Sequence, residues 1–288
     1  MIKDKEIAFQ TCKINELKKC NDIDILYFGD EFCQNKIPSI KSLKYAFEFV
    51  KKNRIKFVFV LPYINDTKIK TVKKILNFLN NLNRTVEIVF NDWGTFNLIS
   101  GYKNLRPILG RLLNKQRKDP IADKILNNIQ PKMKIVIQNG KKVIIQKKQI
   151  PNTVKTYFQK TYLDNPEVMN FMLKKNINRY ELDLLPWDIK LNLNKNINIS
   201  IYYPYINIST TRYCGAINLD YTSKCNKICQ KHKIILGENS LEYPYVVIGN
   251  TIFYKAGGNM LKKSLKNNKI NRIVFNDFDA LLKFKGIK

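Results

Sequence analysis

Short apolar runs alternate with amphipathic stretches along the first third of the chain. Ile23 to Phe28 is a compact apolar run that ends at Gly29. From Ile40 to Val50 the apolar positions 40, 43, 47 and 50 have the spacing of one helix face. Phe57-Val58-Phe59-Val60-Leu61 is nearly continuous and stops at Pro62. Ile69, Val72, Ile75, Leu76, Leu79 and Leu82 then mark a second helical face, followed by the run Val86 to Phe90. Continuous runs of β-branched and aromatic residues, in place of apolar–polar alternation, indicate strands covered on both faces. Strand, helix, strand, helix, strand predicts βαβ units and a parallel sheet.

The middle is less regular. Met133 to Ile137 and Val143 to Gln146 flank Asn139-Gly140, a strong hairpin signal, which predicts an antiparallel insertion at about 130–150. Asp164-Asn165-Pro166-Glu167 reads as a helix start with Asp164 as the cap. Arg179–Leu185, Ile197–Tyr203 and Arg272–Phe275 resume strand-like runs. Val246–Ile248 and Thr251–Tyr254, parted by Gly249-Asn250, form a second hairpin-like pair. Gly257-Gly258-Asn259 reads as a turn, and no internal repeat or low-complexity linker interrupts the chain. The pattern predicts one α/β domain over 1–288, TIM-barrel-like with a hairpin insertion; an open doubly wound sheet is the alternative.

Composition narrows the class. With 44% hydrophobic and 11% aromatic residues the chain is no disordered polycation. No apolar run approaches the roughly 20 residues that span a bilayer. Met1 to Glu6 leads into mixed polar sequence and not into the apolar core of a signal peptide. A cytoplasmic globular protein without a membrane span is expected.

The 51 Lys+Arg against 23 Asp+Glu leave a formal net charge of +28. Such a charge invites a nucleic-acid reading, with RNA as a partner. Lys, Asn and Ile are abundant throughout while Ala is scarce, the mark of A/T-rich codon usage, and the basic residues are dispersed. The densest stretch, Lys115 to Lys148, is interleaved with apolar residues. Tyr202, Tyr203 and Tyr205 are the aromatics that can stack on bases, or pack within strands.

The six cysteines are more specific. Cys214, Cys225 and Cys229 lie close in sequence, and three neighbouring thiolates suit a soft metal ion or an iron–sulfur cluster. Cys33 is the candidate fourth ligand, because it closely follows the first strong strand. Cys214 likewise follows the run Ile197–Tyr203, and parallel barrel strands deliver such residues to one rim. Zinc is the alternative, with His232, the chain's one histidine, as a further ligand. Cys12 and Cys20 read as bystanders within an early helix.

Leu26-Tyr27-Phe28-Gly29-Asp30-Glu31-Phe32-Cys33, Phe90-Asn91-Asp92-Trp93-Gly94, and Thr211-Arg212-Tyr213-Cys214 followed by Cys225 and Cys229 together resemble the UbiV-like iron–sulfur branch of the peptidase U-32 (collagenase-like peptidase) family. Tyr245 to Gly257 is similar to the stretch after that family's last ligand. The resemblance implies a TIM-barrel-like domain with one oxygen-sensitive 4Fe–4S cluster on Cys33, Cys214, Cys225 and Cys229. It further implies oxygen-independent hydroxylation, of ubiquinone precursors or of RNA bases, with prephenate as oxygen donor. A second U-32 family protein is the implied partner in a heterodimer. Two features depart from the branch: a shorter gap from Cys214 to Cys225, and the segment Gly110–Pro120 with the hairpin after it.

Asp30, Glu31, Asp92 and Arg212 are the catalytic candidates. The acids and Asn91 close strand ends, where barrels place acids, bases and substrate anchors, and Arg212 can clamp an anion beside Cys214. Turn, cap or salt-bridge roles are the alternatives. Glu181, inside the strand-like run Arg179–Leu185, can face the barrel interior. A metalloprotease motif, a P-loop and a dinucleotide fingerprint are absent, and His232 is the only base a serine or cysteine protease could use. The competing functions are thus an iron–sulfur redox enzyme or its subunit, an RNA-modifying or RNA-binding relative, and a non-catalytic cluster protein or sensor. Peptidase chemistry is disfavoured.

Overall fold

A computed structural model describes residues 4–18, 20, 22–118, 133–146, 151–187, 189–190, 197–215, 225–237 and 243–286. Its strands are β1 (Glu6–Thr11), β2 (Ile25–Gly29), β3 (Lys56–Val60), β4 (Val86–Phe90), β5 (Leu105–Leu109), β6 (Met133–Gln138), β7 (Lys141–Gln146), β8 (Arg179–Asp183), β9 (Asn198–Tyr203), β10 (Tyr205–Thr210), β11 (Ile234–Leu236), β12 (Tyr245–Ile248), β13 (Thr251–Lys255) and β14 (Ile270–Phe275). The α-helices are α1 (Ile14–Leu17), α2 (Ile40–Asn53), α3 (Asp66–Asn80), α4 (Trp93–Ile99), α5 (Asn152–Gln159), α6 (Pro166–Lys174), α7 (Gly258–Ser264) and α8 (Phe278–Lys285).

β1-β2-β3-β4-β5-β8-β9-β14 form a closed ring of parallel strands, β14 pairing back onto β1 with Phe9 opposite Phe275. This is a TIM-barrel-like α/β fold, and closure excludes the open doubly wound sheet. Both faces of the ring are covered. Leu26, Phe28, Phe57, Phe59, Ile88 and Phe90 point outward and pack under the helices. Ala8, Ile25, Tyr27, Val58, Val60, Val89, Ile108, Tyr202 and Val274 point inward. This alternation within continuous apolar runs is what a strand buried on both faces requires.

Several helices begin on side-chain caps. Ser39 accepts from the Ser42 amide, Asn65 from Thr67 and Asp277 from Ala280. Three sequence expectations are corrected here. The cap of α6 is Asn165, which accepts from the Glu167 amide, while Asp164 belongs to a capping box with Thr161 one turn earlier. Gly257 is the N-cap position of α7 and Gly258 its first residue, so that stretch is a helix start. Cys12 follows β1 and Cys20 lies beyond the single turn of α1, so neither is in a helix; with Glu6 and Gln10 in it, β1 does not show as an apolar run.

Beyond the cis Tyr203–Pro204 bond the chain leaves the barrel as β10, which joins the antiparallel sheet β10-β13-β12-β11. Cys214 therefore follows β10, not the barrel strand β9. β6 and β7 form a separate two-stranded sheet. Asn139 and Gly140 sit at its turn with φ of 50° and 73°, the paired left-handed conformation of a two-residue hairpin turn. No helix among the described residues is long and apolar enough to cross a membrane.

Candidate functional site

The C-terminal ends of the barrel strands carry the chemistry. β2 ends on Gly29, whose φ of +138° brings it so close to β3 that a Cβ would lie 2.1 Å from the Val60 carbonyl oxygen. The chain then turns sharply through Asp30. The Asp30 carboxylate accepts from the amides of Phe32 and Cys33 at 2.9 and 2.8 Å and pairs with Lys36 at 3.0 Å. It thereby fixes the loop that presents Cys33.

Cys33, Cys214, Cys225 and Cys229 line one pocket, together with Asn35, Lys36, Arg212, Lys227, Gly249 and Asn250. The Gly249-Asn250 turn between β12 and β13 holds it together. Gly249 has φ +66°, and a Cβ there would lie 3.3 Å from Cys229 Sγ. The Asn250 amide nitrogen lies 2.7 Å from the Phe32 carbonyl, 2.8 Å from the Thr211 carbonyl and 3.1 Å from the Tyr63 hydroxyl. Asn250 thus ties the Cys33 loop to the Cys214 loop. Among the described residues the pocket lining has no carboxylate or imidazole, only thiols, amides and cations beside Gly249. The Lys227 amide also donates to Cys225 Sγ at 3.3 Å.

This lining fits a sulfur-ligated, anionic group: four soft donors, with Lys36, Lys227 and Arg212 to balance negative charge. Among the described residues no three His, Cys, Asp or Glu side chains converge closely enough to hold one metal ion. A tetrahedral zinc site needs all its sulfurs about 2.3 Å from one point, whereas a 4Fe–4S cluster takes its cysteines at separate corners. The free space between the thiols is about 20 Å³, room for about one water, so a bound cluster needs the cysteine loops to part. Burial first, and then the Asp30 charge, pushes the Cys33 thiol up to about 12; burial also raises Cys229. Both are neutral thiols until a ligated metal removes the proton. Lys36 is the nearest counter-charge: burial opposes its ionisation, but Asp30 holds its ammonium protonated.

Beside this pocket a cavity of about 380 Å³ opens at the barrel mouth. Thr11, Asp30, Arg111, Tyr205 and Asn276 bring the ends of five barrel strands to it, and Phe32, Phe253 and Phe278 give it apolar walls. Lys36 and Cys229 line both cavity and cysteine pocket. A larger cleft of about 1050 Å³ shares Arg111 with this cavity; it is lined by Arg111, Lys115, Lys118 and Arg212, with no acidic side chain among its described lining residues.

Arg111 is the hub between them. Its guanidinium is buried and donates to Glu31 through Nε at 3.1 Å and Nη2 at 2.5 Å, to Asp183 through Nη1 at 2.6 Å, and to the Tyr205 carbonyl at 3.1 Å. It also lies 3.8 Å from the centroid of the Tyr202 ring. Lys118 pairs with the other Asp183 oxygen. Two cations and two carboxylates therefore balance in a buried network. Burial opposes the charge of Asp183, but Arg111 and Lys118 outweigh it and hold its carboxyl below the usual range. Deeper in the barrel, the Tyr27 hydroxyl donates to Glu181 Oε1 at 3.0 Å while Glu181 Oε2 is buried without a partner. Burial pushes Glu181 up to about 7.

The sequence candidates divide accordingly. Arg212 lines the cysteine pocket, Asp30 holds the Cys33 loop and lines the barrel-mouth cavity, and Glu181 faces the barrel interior. Glu31 is an internal ion-pair partner. Asp92 is the N-cap of α4, accepting from Thr95 and from the Ile64 amide. Asn91 bridges the Leu61 carbonyl and the Leu112 amide. His232 is exposed, lines the barrel-mouth cavity and is not part of the cysteine pocket. Cys12 opens into the same cavity, where Gln230 donates to its sulfur at 3.4 Å; Cys20 is buried elsewhere. Tyr202 and Tyr205 are buried, so they serve packing and are not surfaces for stacking bases. Sequence reasoning missed Lys36, Arg111, Asp183 and Asn250. The polar triplet Gly110-Arg111 and Asn114, directly after a strand-like Ile108-Leu109, was the available signal for Arg111.

Compared with known proteins, the chain matches no protein-family profile and no curated protein. The solved structure of the U32 peptidase Mk0906 is similar over 95% of this chain and 92% of its own length, at 7% identity and a TM-score of 0.43.

Proposed function

We propose that this chain is an iron–sulfur protein akin to the UbiV-like branch of the U-32 family, holding a 4Fe–4S cluster on Cys33, Cys214, Cys225 and Cys229 and acting in the cytoplasm in oxygen-independent hydroxylation or a related redox reaction. The observation that carries the reading is that Cys33 and the later group Cys214, Cys225 and Cys229 line one pocket, with no carboxylate or imidazole among its described lining residues. When bound, such a cluster supplies one-electron oxidation and reduction.

The residues around it have separable tasks in this reading. Asp30 and Asn250 fix the loops that carry Cys33 and Cys214. Lys36 keeps a positive charge against the thiolates. The barrel-mouth cavity binds the substrate with its rings against Phe32 and Phe253 and its polar groups toward Lys36, Asn276 and Thr251. Arg111, held on Glu31 and Asp183, keeps the cavity wall rigid. A peptidase reading lacks a nucleophile–base pair: among the described residues His232 makes no side-chain hydrogen bond to a serine or cysteine, and burial keeps Cys33 and Cys229 protonated.

Metal and sulfide analysis of anaerobically isolated protein is the direct test. About four iron and four sulfide per chain are expected, with brown colour. Cys33→Ala and Cys214→Ala are expected to lose both, and Cys12→Ala to keep them. Protein carrying one zinc and no sulfide would overturn the proposal.

A further inference from the structure

The β6–β7 hairpin has a face that the barrel does not explain. Ile135 stands opposite Ile144, and Ile137 opposite Lys142, so these four side chains share one face. Ile135 and Ile144 are 63% exposed and Ile137 is 71% exposed. None of the hairpin's described side chains belongs to a core cluster. A lone two-stranded hairpin is marginal in water, and uncovered isoleucines on it favour a surface that will take them.

The charge around the hairpin identifies that surface. Nine lysines and no Asp or Glu lie between Asp123 and Asp164, the longest stretch of the chain without an acid. Lys141 and Lys142 are exposed at the hairpin's turn. A second copy would set lysine against lysine. Nucleic acid would use the lysines, but its bases stack on aromatic side chains, of which residues 133–146 have none, and it gives three aliphatic isoleucines nothing to enter. An anionic phospholipid surface takes both features together: aliphatic side chains enter the headgroup–acyl boundary while lysines stay among the phosphates.

We propose that the β6–β7 hairpin docks the protein on anionic phospholipid, with Ile135, Ile137 and Ile144 inserted and Lys141 and Lys142 at the headgroups. This is independent of any cluster in the barrel.

Co-sedimentation of the full chain with vesicles tests it, using phosphatidylglycerol and phosphatidylcholine in equal parts against phosphatidylcholine alone. Preferential binding to the anionic vesicles is expected. Combining Ile135→Asn, Ile137→Asn and Ile144→Asn leaves the net charge unchanged and is expected to weaken binding about tenfold or more. Ile137→Asn alone, at the most exposed position, is expected to weaken it in the same direction if the triple variant is poorly folded. Lys141→Gln with Lys142→Gln is expected to weaken it most at low salt. Equal sedimentation with neutral vesicles would overturn the proposal, since the lysines would then contribute nothing; so would isoleucine variants that bind as well as wild type, since a basic body alone would then account for binding. So would a protein that ignores vesicles but binds an RNA oligonucleotide through the two lysines, or one that ignores vesicles but self-associates through the isoleucines.

Discussion

The amide nitrogen of Asn250 lies 2.7 Å from the carbonyl oxygen of Phe32, joining the β12–β13 turn to the residue beside Cys33 across 218 positions of sequence. With the Thr211 carbonyl at 2.8 Å on the same nitrogen, this one side chain sets the distance between two cysteine loops. The cysteine pocket is thus organised by an amide that is no ligand itself.

Asn250→Asp removes the donor and turns a carboxylate toward two carbonyl oxygens. Leaving buried acceptors unpaired costs about 1–3 kcal/mol. Thermal unfolding is expected to fall accordingly, and iron per chain to drop after anaerobic isolation. A variant with wild-type iron and wild-type unfolding temperature would show that Asn250 does not organise the pocket.

Gly249→Ala probes the same turn from the other side. Its left-handed φ costs an alanine about 1–2 kcal/mol, and the new methyl meets Cys229 Sγ at 3.3 Å. The expected result is lost stability together with a lowered metal content. Gly257→Ala is the control, since a Cβ there meets nothing within 4 Å. Equal behaviour of the two variants would refute the close approach.

The parts of this arrangement were unequally legible in the sequence. β2, β3 and β4 stood out because a strand covered on both faces must be apolar throughout. β5 did not, since Arg106 and Pro107 break its run. Proline lacks an N–H, and it is tolerated there because β5 pairs with β8 only at Leu109 and Tyr180. Cys214, Cys225 and Cys229 stood out by type and spacing and Cys33 by its place just after β2; that the four line one pocket is visible only in the fold. Lys36 was one lysine among many, and its meaning comes from the half-buried Asp30 beside it. Arg111, Glu31 and Asp183 meet only once the ring closes, so no local pattern announces them. Asp92 left two roles open in the sequence, catalytic acid or cap, and the fold shows the cap, its side chain accepting from the Thr95 amide at the start of α4.

Arg111→Met leaves Glu31 without its bidentate partner and Asp183 with Lys118 and the Asn207 amide. Breaking a buried ion pair on one side costs about 3–5 kcal/mol. Adding Glu31→Gln removes the stranded charge and is expected to restore part of that loss, a coupling that a double-mutant cycle on urea unfolding measures. Strictly additive effects would mean that the two side chains do not share one network.

Glu181 gives the fold a pH dependence of unusual sign. Its carboxyl is pushed up to about 7 in the barrel, from an ordinary value of 4.5, because burial without a partner for Oε2 penalises the charged form. Below the unfolded value both states hold the proton and Glu181 has no effect. Between the two values the folded state binds more protons than the unfolded one, so stability falls as pH rises. The loss is complete above about pH 7 and amounts to about 3 kcal/mol. Glu181→Gln keeps the shape and the acceptor for Tyr27 but cannot ionise. Unfolding free energy is therefore expected to decline from pH 5 to pH 7.5 more steeply in wild type than in the variant. Parallel profiles would show that Glu181 ionises as freely in the folded protein as in the unfolded chain.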